Sequence, residues 1–125
     1  MTPTTPLMST LESYLKLTTI REQAISSNMA NIDTPGYHTR DINFEGELNR
    51  AMTGVLSQSQ GGGEGLQLTP VARDVQGLME RPDGNNVSLD REGLLLSQTQ
   101  LQYQIGVQLV KHQFHQILSA ISGGS

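Results

Sequence analysis

The chain of 125 residues contains no cysteine and no tryptophan. Disulfide and thiol chemistry are therefore excluded. Aromatic residues make up only 4% of the chain and hydrophobic residues 35%. Small domains already bury a low fraction of their surface, so this composition predicts a fold that depends on neighbours for stability. Charge is sparse as well. The formal net charge is −4 and dispersed, with no basic block for nucleic acid and no basic amphipathic face for a membrane surface. No apolar run approaches the roughly 20 residues of a membrane span. The N-terminus lacks the basic region and apolar stretch of a cleaved secretory signal. Taken alone, the composition reads as that of a single cytoplasmic domain.

What is present is concentrated at the two ends. Thr5-Pro6 is a helix start, with Thr as N-cap and Pro at the first helical position. No Pro or Gly follows until Pro35. Leu7, Leu11, Tyr14 and Leu15 share one helical face, to which Ile25, Met29 and Ile32 return. Leu17, Ile20 and Ala24 widen the apolar sector beyond one coiled-coil seam, which predicts more than one packing partner. The spacing predicts a helix over 6–33, roughly 40 Å long. At the other end Ser88 is an N-cap, followed by Asp90 and Glu92 in the first turn, where the helix dipole favours them. Tyr103, Val107, Val110, Phe114, Ile117 and Ile121 alternate spacings of four and three, a heptad seam. The alternation of Leu101 to Leu109 would also pass as a strand. The seam runs on through Ile121 without turn residues, so a helix over 89–121 is the reading, roughly 48 Å long.

Between the helices the pattern breaks. Pro35 fixes its own φ and pushes Thr34 out of the helical region. Thr34-Pro35-Gly36-Tyr37 fits a type II turn, with Gly36 taking the positive φ. Residues 34–48 read as this turn and an extended arm, with a short helix admitted near Glu45 to Met52. Residues 49–88 read as an irregular, partly flexible connection. Within it Gly61 to Gly65 has linker composition, and Leu66 to Leu68 would suit a short strand. The fold class that follows is all-α. Two long terminal helices pack as an antiparallel coiled-coil hairpin, joined by a long irregular arm and loop with room for short strands.

Little catalytic chemistry can be assembled from these residues. The glycine run is not a phosphate-binding loop, because no Lys-Ser/Thr follows it. His112 and His115 have a spacing that two metal ligands could use, but no third ligand lies near in sequence; helix-end imidazoles also suit the dipole. Asp33, Asp41, Glu45 and Glu47 stand in polar, turn-rich sequence and read as solvated or interface charge. No nucleophile motif occurs. The reading is no enzyme, no catalytic residue, no metal, no cofactor and no small-molecule substrate.

One stretch has a specific look. Asn28-Met29-Ala30-Asn31-Ile32-Asp33-Thr34-Pro35-Gly36-Tyr37 resembles the signature of bacterial flagellar rod and hook proteins. The continuation His38 to Leu48 and the stretch Arg81 to Glu92 narrow the resemblance to the small proximal-rod subunits of the basal body. The resemblance covers nearly the whole chain. It implies a structural subunit of the drive shaft that carries torque from motor to hook. The implied partners are other rod subunits, copies of the chain itself, and inner-membrane ring and export-gate components at the rod base. It also implies export through the flagellar type III apparatus, unfolded and without a cleaved signal peptide, which replaces the cytoplasmic reading. Asn28, Asn31, Asp33, Thr34, Pro35, Gly36 and Tyr37 become turn-shaping and interface residues, and the arm after Thr34 is expected to reach adjacent subunits. Phe44 and Leu48 match a short Phe-x-x-x-apolar element read by the export gate, or they pack against the helices after assembly. The alternatives are another proximal-rod subunit, against which the Asp83 to Glu92 stretch argues, and a small helical export chaperone.

Overall fold

A computed structural model describes residues 5–59 and 70–123. The glycine run, the candidate strand at Leu66 to Leu68 and nearly all of the N-terminal tail lie outside the described residues. Among the described residues, three helices and a two-stranded ribbon follow in the order α1 (Pro6–Ala30), β1 (Arg40–Asp41), α2 (Phe44–Ser59), β2 (Arg73–Asp74) and α3 (Leu89–Ser122). Both terminal helices are capped at the positions their sequences mark. Thr5 accepts from the Met8 amide, and Ser88 accepts from the Arg91 amide. The strand-like alternation of Leu101 to Leu109 lies inside α3.

α1 packs against both α2 and α3. The terminal helices run antiparallel. Asn28, near the end of α1, meets Glu92 at the start of α3, while Tyr14 and Leu15 lie against Gly106. The seam between them is unusual in composition. On α1 it buries Leu11, Thr18 and Ile25, and on α3 it buries Glu92, Thr99 and Gly106, each set at heptad spacing. Thr18 and Thr99 turn their hydroxyls back onto the carbonyls of Leu15 and Leu95, both at 2.7 Å. Each thus satisfies its polar atom within its own helix. A Cβ on Gly106 would stand 2.7 Å from Leu15 Cδ2, so the missing side chain is what lets the helices approach.

The residues of the sequence-derived seam therefore sit differently on the two helices. Leu11 and Ile25 are buried; Tyr14, Leu15, Met29 and Ile32 are half-buried; Leu7 is exposed. On α3, Val107, Val110 and Ile117 are half-buried, while Tyr103, Phe114 and Ile121 are exposed. The face of α3 turned to α1 is the small and polar one, and the apolar stripe lies along its flank. The main apolar cluster adjoins this seam on α1, with Tyr14 shared between them. There Leu17, Ile42 and Phe44 pack with Tyr14, Ile20 and Leu48. Tyr14 and Phe44 meet edge to face at 5.7 Å, and the Arg21 guanidinium lies 5.8 Å from the Phe44 ring centre.

The helix boundaries and the course of the arm differ from the sequence reading. α1 ends at Ala30 rather than Asp33 because the Asn31 side chain donates to the Ser27 carbonyl and closes the last turn. The extended arm stops at Asn43. Asn43 Oδ1 accepts from the Gly46 amide, and Glu45 and Glu47 follow in the first turn, so α2 starts at Phe44 and continues through Ser59. Residues 49–59 are thus helical, not irregular. Finally, the arm does not reach away from the subunit. β1 pairs antiparallel with β2, Arg40 opposite Asp74, and Thr39 and Ile42 are buried against the body of the fold.

Candidate interaction site: a polar clasp at the helix ends

Between the end of α1 and the start of α3 the chain makes two turns that lie back to back. In Thr34 to Tyr37 the Tyr37 amide donates to the Thr34 carbonyl at 3.2 Å, with Gly36 at φ 74°. In Arg81 to Gly84 the Gly84 amide donates to the Arg81 carbonyl at 2.8 Å, with Gly84 at φ 83°. Both φ values lie where a Cβ clashes with its own backbone. The turns also touch: a Cβ on Gly84 would stand 3.4 Å from Gly36 Cα, and the Gly36 amide donates to the Asp83 carbonyl at 2.8 Å.

Three asparagines bind these turns to the helices. Asn28 is 1% exposed. Its Nδ2 donates to the Arg40 carbonyl at 2.8 Å, and its Oδ1 accepts from the Arg40 amide at 3.0 Å. A side-chain carboxamide thereby pairs with a strand residue as a peptide group would. The same Oδ1 accepts from the Tyr37 hydroxyl at 3.1 Å. Asn85, fully buried, donates from Nδ2 to the Asn31 and Thr34 carbonyls at 2.9 and 2.8 Å, and its Oδ1 accepts from the Val87 amide. The same two carbonyls accept from the Thr34 and Tyr37 amides at 3.1 and 3.2 Å, so Asn85 gives each a second donor just past the end of α1. Asn86 Oδ1 accepts from the Thr39 amide at 2.7 Å. The Arg81 guanidinium takes the Ile32 carbonyl.

A chain of alternating charge completes the clasp. Arg21 of α1 bonds Asp41 at 2.9 Å. Arg91 of α3 lies 3.8 Å from the same carboxylate and 2.8 Å from Glu92 Oε1. Glu92, fully buried, accepts through Oε2 from Asn28 Nδ2 at 3.2 Å. Two cations and two carboxylates leave the cluster neutral, which is how ionised groups tolerate burial. Nearby, burial pushes the Tyr14 phenol above its usual value of 10.0.

Of the residues singled out from sequence, the clasp brings together Asn28, Asn31, Thr34, Gly36 and Tyr37. Asp33 and Pro35 are exposed beside it. Phe44 and Leu48 belong to the apolar cluster instead. Sequence reasoning missed Arg21, Asp41, Asn85, Asn86 and Arg91 as members, and read Glu92 only as a dipole partner. The one local hint is the adjacent pair Asn85-Asn86 just after a turn. Among the described residues, no group of three His, Cys, Asp or Glu side chains could hold a metal, and no helix is long and apolar enough to cross a membrane.

Fold and clasp define the class: a small helical-hairpin protein, stapled at one end by buried polar side chains, with apolar stripes left open along its longest helix. Over 128 residues the chain is 32% identical to the flagellar basal body rod protein FlgB of Salmonella typhimurium, and the match covers 91% of each. It is 31% identical over 126 residues to FlgB of Escherichia coli, again with 91% of each covered. FlgB of Bacillus subtilis is 27% identical over 131 residues, covering 91% of this chain and 92% of the relative. No protein-family model matches the chain. The chain belongs to the FlgB family of flagellar basal body rod proteins.

Proposed function

We propose that the chain is a building block of the proximal rod, working by packing rather than by catalysis. It would be made in the cytoplasm and exported unfolded through the flagellar type III apparatus without a cleaved signal. It would then fold against other rod subunits and copies of itself next to the inner-membrane ring and export gate. Once assembled, it would pass torque from motor to hook. The observation that carries this reading, beside the family relationship, is the surface of α3. Leu94, Leu101, Tyr103, Ile105, Leu109, Phe114, Leu118 and Ile121 are all exposed on one helix, and Lys111 is its sole Asp, Glu, Lys or Arg from Gly93 to Ser122. A helix intended for water carries charge on its outer face. This one suits burial among neighbours, and exposed apolar area of this extent marks an association surface.

In this reading the signature residues around Asn28 and Gly36 are an internal clasp that sets the angle between arm and helices, so that association surfaces are presented in register. Phe44 and Leu48 are available to the export gate only while the chain is unfolded, since folding packs them into the apolar cluster. The test is to purify intact hook–basal bodies and look for the chain. A few wash-resistant copies per basal body are expected. A stable cytoplasmic pool with none in the basal body would instead indicate an export chaperone.

A further inference from the structure

Two apolar features stand exposed among the described residues. The first is Met79, 92% exposed in the loop after β2. The loop is braced directly after Met79. His38 Nε2 stands 3.0 Å from Glu80 Oε1, and the Arg81 amide donates to the Asn85 carbonyl at 2.8 Å. The Met79 side chain stands exposed beside this braced segment, which leads into α3. The second is a shallow, open hollow on the outer flank of α3, formed between the side chains of Leu101, Gln104, Ile105, Gln108 and Leu109. Its three apolar residues are exposed. The two features also differ in charge. Glu80 follows Met79 directly, and Lys111, the only charged side chain of that region of α3, stands one turn beyond Gln108.

We propose that Met79 of one copy of this chain seats in the Leu101–Ile105–Leu109 hollow of a second copy, with Glu80 brought to Lys111. The proposal rests on the rod-subunit reading and names a contact within it. An unbranched, polarisable side chain suits an irregular apolar hollow. Met is enriched in interface cores, while charged residues belong at the rim. The occupant is a second copy because knob and hollow are both on this chain. They are different patches, so the contact is heterologous: each copy offers its knob to one neighbour and its hollow to another. A contact of this kind extends into an open helical row unless its rotation closes a ring. From Leu89 to Ile105 the helix rises roughly 24 Å, so successive copies are displaced along the helix axis, the direction in which a shaft grows.

The absence of cysteine makes the test clean. Met79→Cys and Ile105→Cys chains are produced singly and together in flagellated cells, oxidised, and analysed in purified basal bodies and in the soluble pool. Both positions are exposed, so folding is not in play. A disulfide-linked dimer is expected when the two variants are mixed and not with either alone. Equal cross-linking by either single variant overturns the contact. So does a chain present in basal bodies with no mixed cross-link, which leaves the rod assignment standing. A mixed cross-link confined to the soluble pool upholds the contact and overturns the rod assignment. Absence from basal bodies with no cross-link anywhere overturns both.

Discussion

Asn28 and Glu92 stand 64 positions apart in the chain, yet their side chains meet at 3.2 Å with both residues buried. This single contact ties the end of α1 to the start of α3. The same Nδ2, together with Oδ1, also holds the arm at Arg40.

Replacing Asn28 tests the clasp at its centre. Asn28→Ala leaves the Arg40 amide and carbonyl, the Tyr37 hydroxyl and Glu92 Oε2 each short of a partner. Unsatisfied buried groups cost about 1–3 kcal/mol apiece before relaxation, so a net loss of about 2–4 kcal/mol is expected. Asn28→Asp keeps the shape and the Oδ1 contacts but sets a carboxylate against Glu92. It is expected to be no better than Ala at neutral pH and to recover as pH falls. Chemical denaturation of the two variants at pH 7 and pH 4 checks both statements.

The back-to-back turns make Gly36 and Gly84 sensitive for different reasons. A β-branched residue at Gly36 meets open space but an unfavourable φ. Gly36→Val is expected to cost about 2 kcal/mol and to abolish swimming. At Gly84 the unfavourable φ is joined by contact with Gly36 Cα, so Gly84→Val is expected to be worse. Motility-agar assays alongside denaturation of the purified chains compare the two. Normal swimming by Gly36→Val would remove the turn from the mechanism.

Phe44 has to be read in two states. Folded, it is buried against Leu17 and Tyr14, and Phe44→Ala is expected to cost about 3–5 kcal/mol. Unfolded, it is the proposed contact for the export gate. Leu17→Ala disturbs the same cluster without touching the Phe-x-x-x-Leu spacing. If the gate reads Phe44, the Phe44 variant fails to be secreted at normal synthesis while the Leu17 variant is secreted. Equal secretion of both confines Phe44 to packing.

Gly106 separates helix propensity from helix approach. Alanine gains about 1 kcal/mol of propensity, offset by a Cβ that would stand 2.7 Å from Leu15 Cδ2 and 3.1 Å from the Tyr14 ring packed on Phe44. Gly106→Ala is therefore expected to change stability by less than about 1 kcal/mol. Gly106→Leu has to push α3 away from α1. It is expected to destabilise by about 2 kcal/mol or more, as read by thermal melts of both variants.

The extent to which the fold is legible in the sequence follows from these residues. Thr5, Pro6 and Ser88 mark helix starts through local chemistry, and long runs without Pro or Gly mark α1 and α3. α2 is less visible: Phe44, Leu48, Ala51 and Val55 have helical spacing, but Gly46 and Gly54 interrupt it. The inner face of α3 is the hardest to find. Apolar periodicity selects Tyr103, Val107 and Phe114, whereas the buried heptad is Glu92, Thr99 and Gly106. Nothing in a hydrophobic pattern distinguishes a stripe saved for a neighbour from one used within the subunit. The clasp is hidden for another reason. Its members lie on four separate segments, and only the fold makes Asn85 the partner of Asn31.

The separation between Asn28 and Glu92 also fixes an order of events. A chain delivered lengthwise through a narrow passage exposes α1 and the arm long before, or long after, the start of α3. Until both are on the same side, the Asn28 amide and the Asn31 and Thr34 carbonyls lack the side chains that complete them. Closure therefore waits for the second segment, whichever end leads. On the proposed export route the clasp would act as a timer, open in transit and shut at the destination.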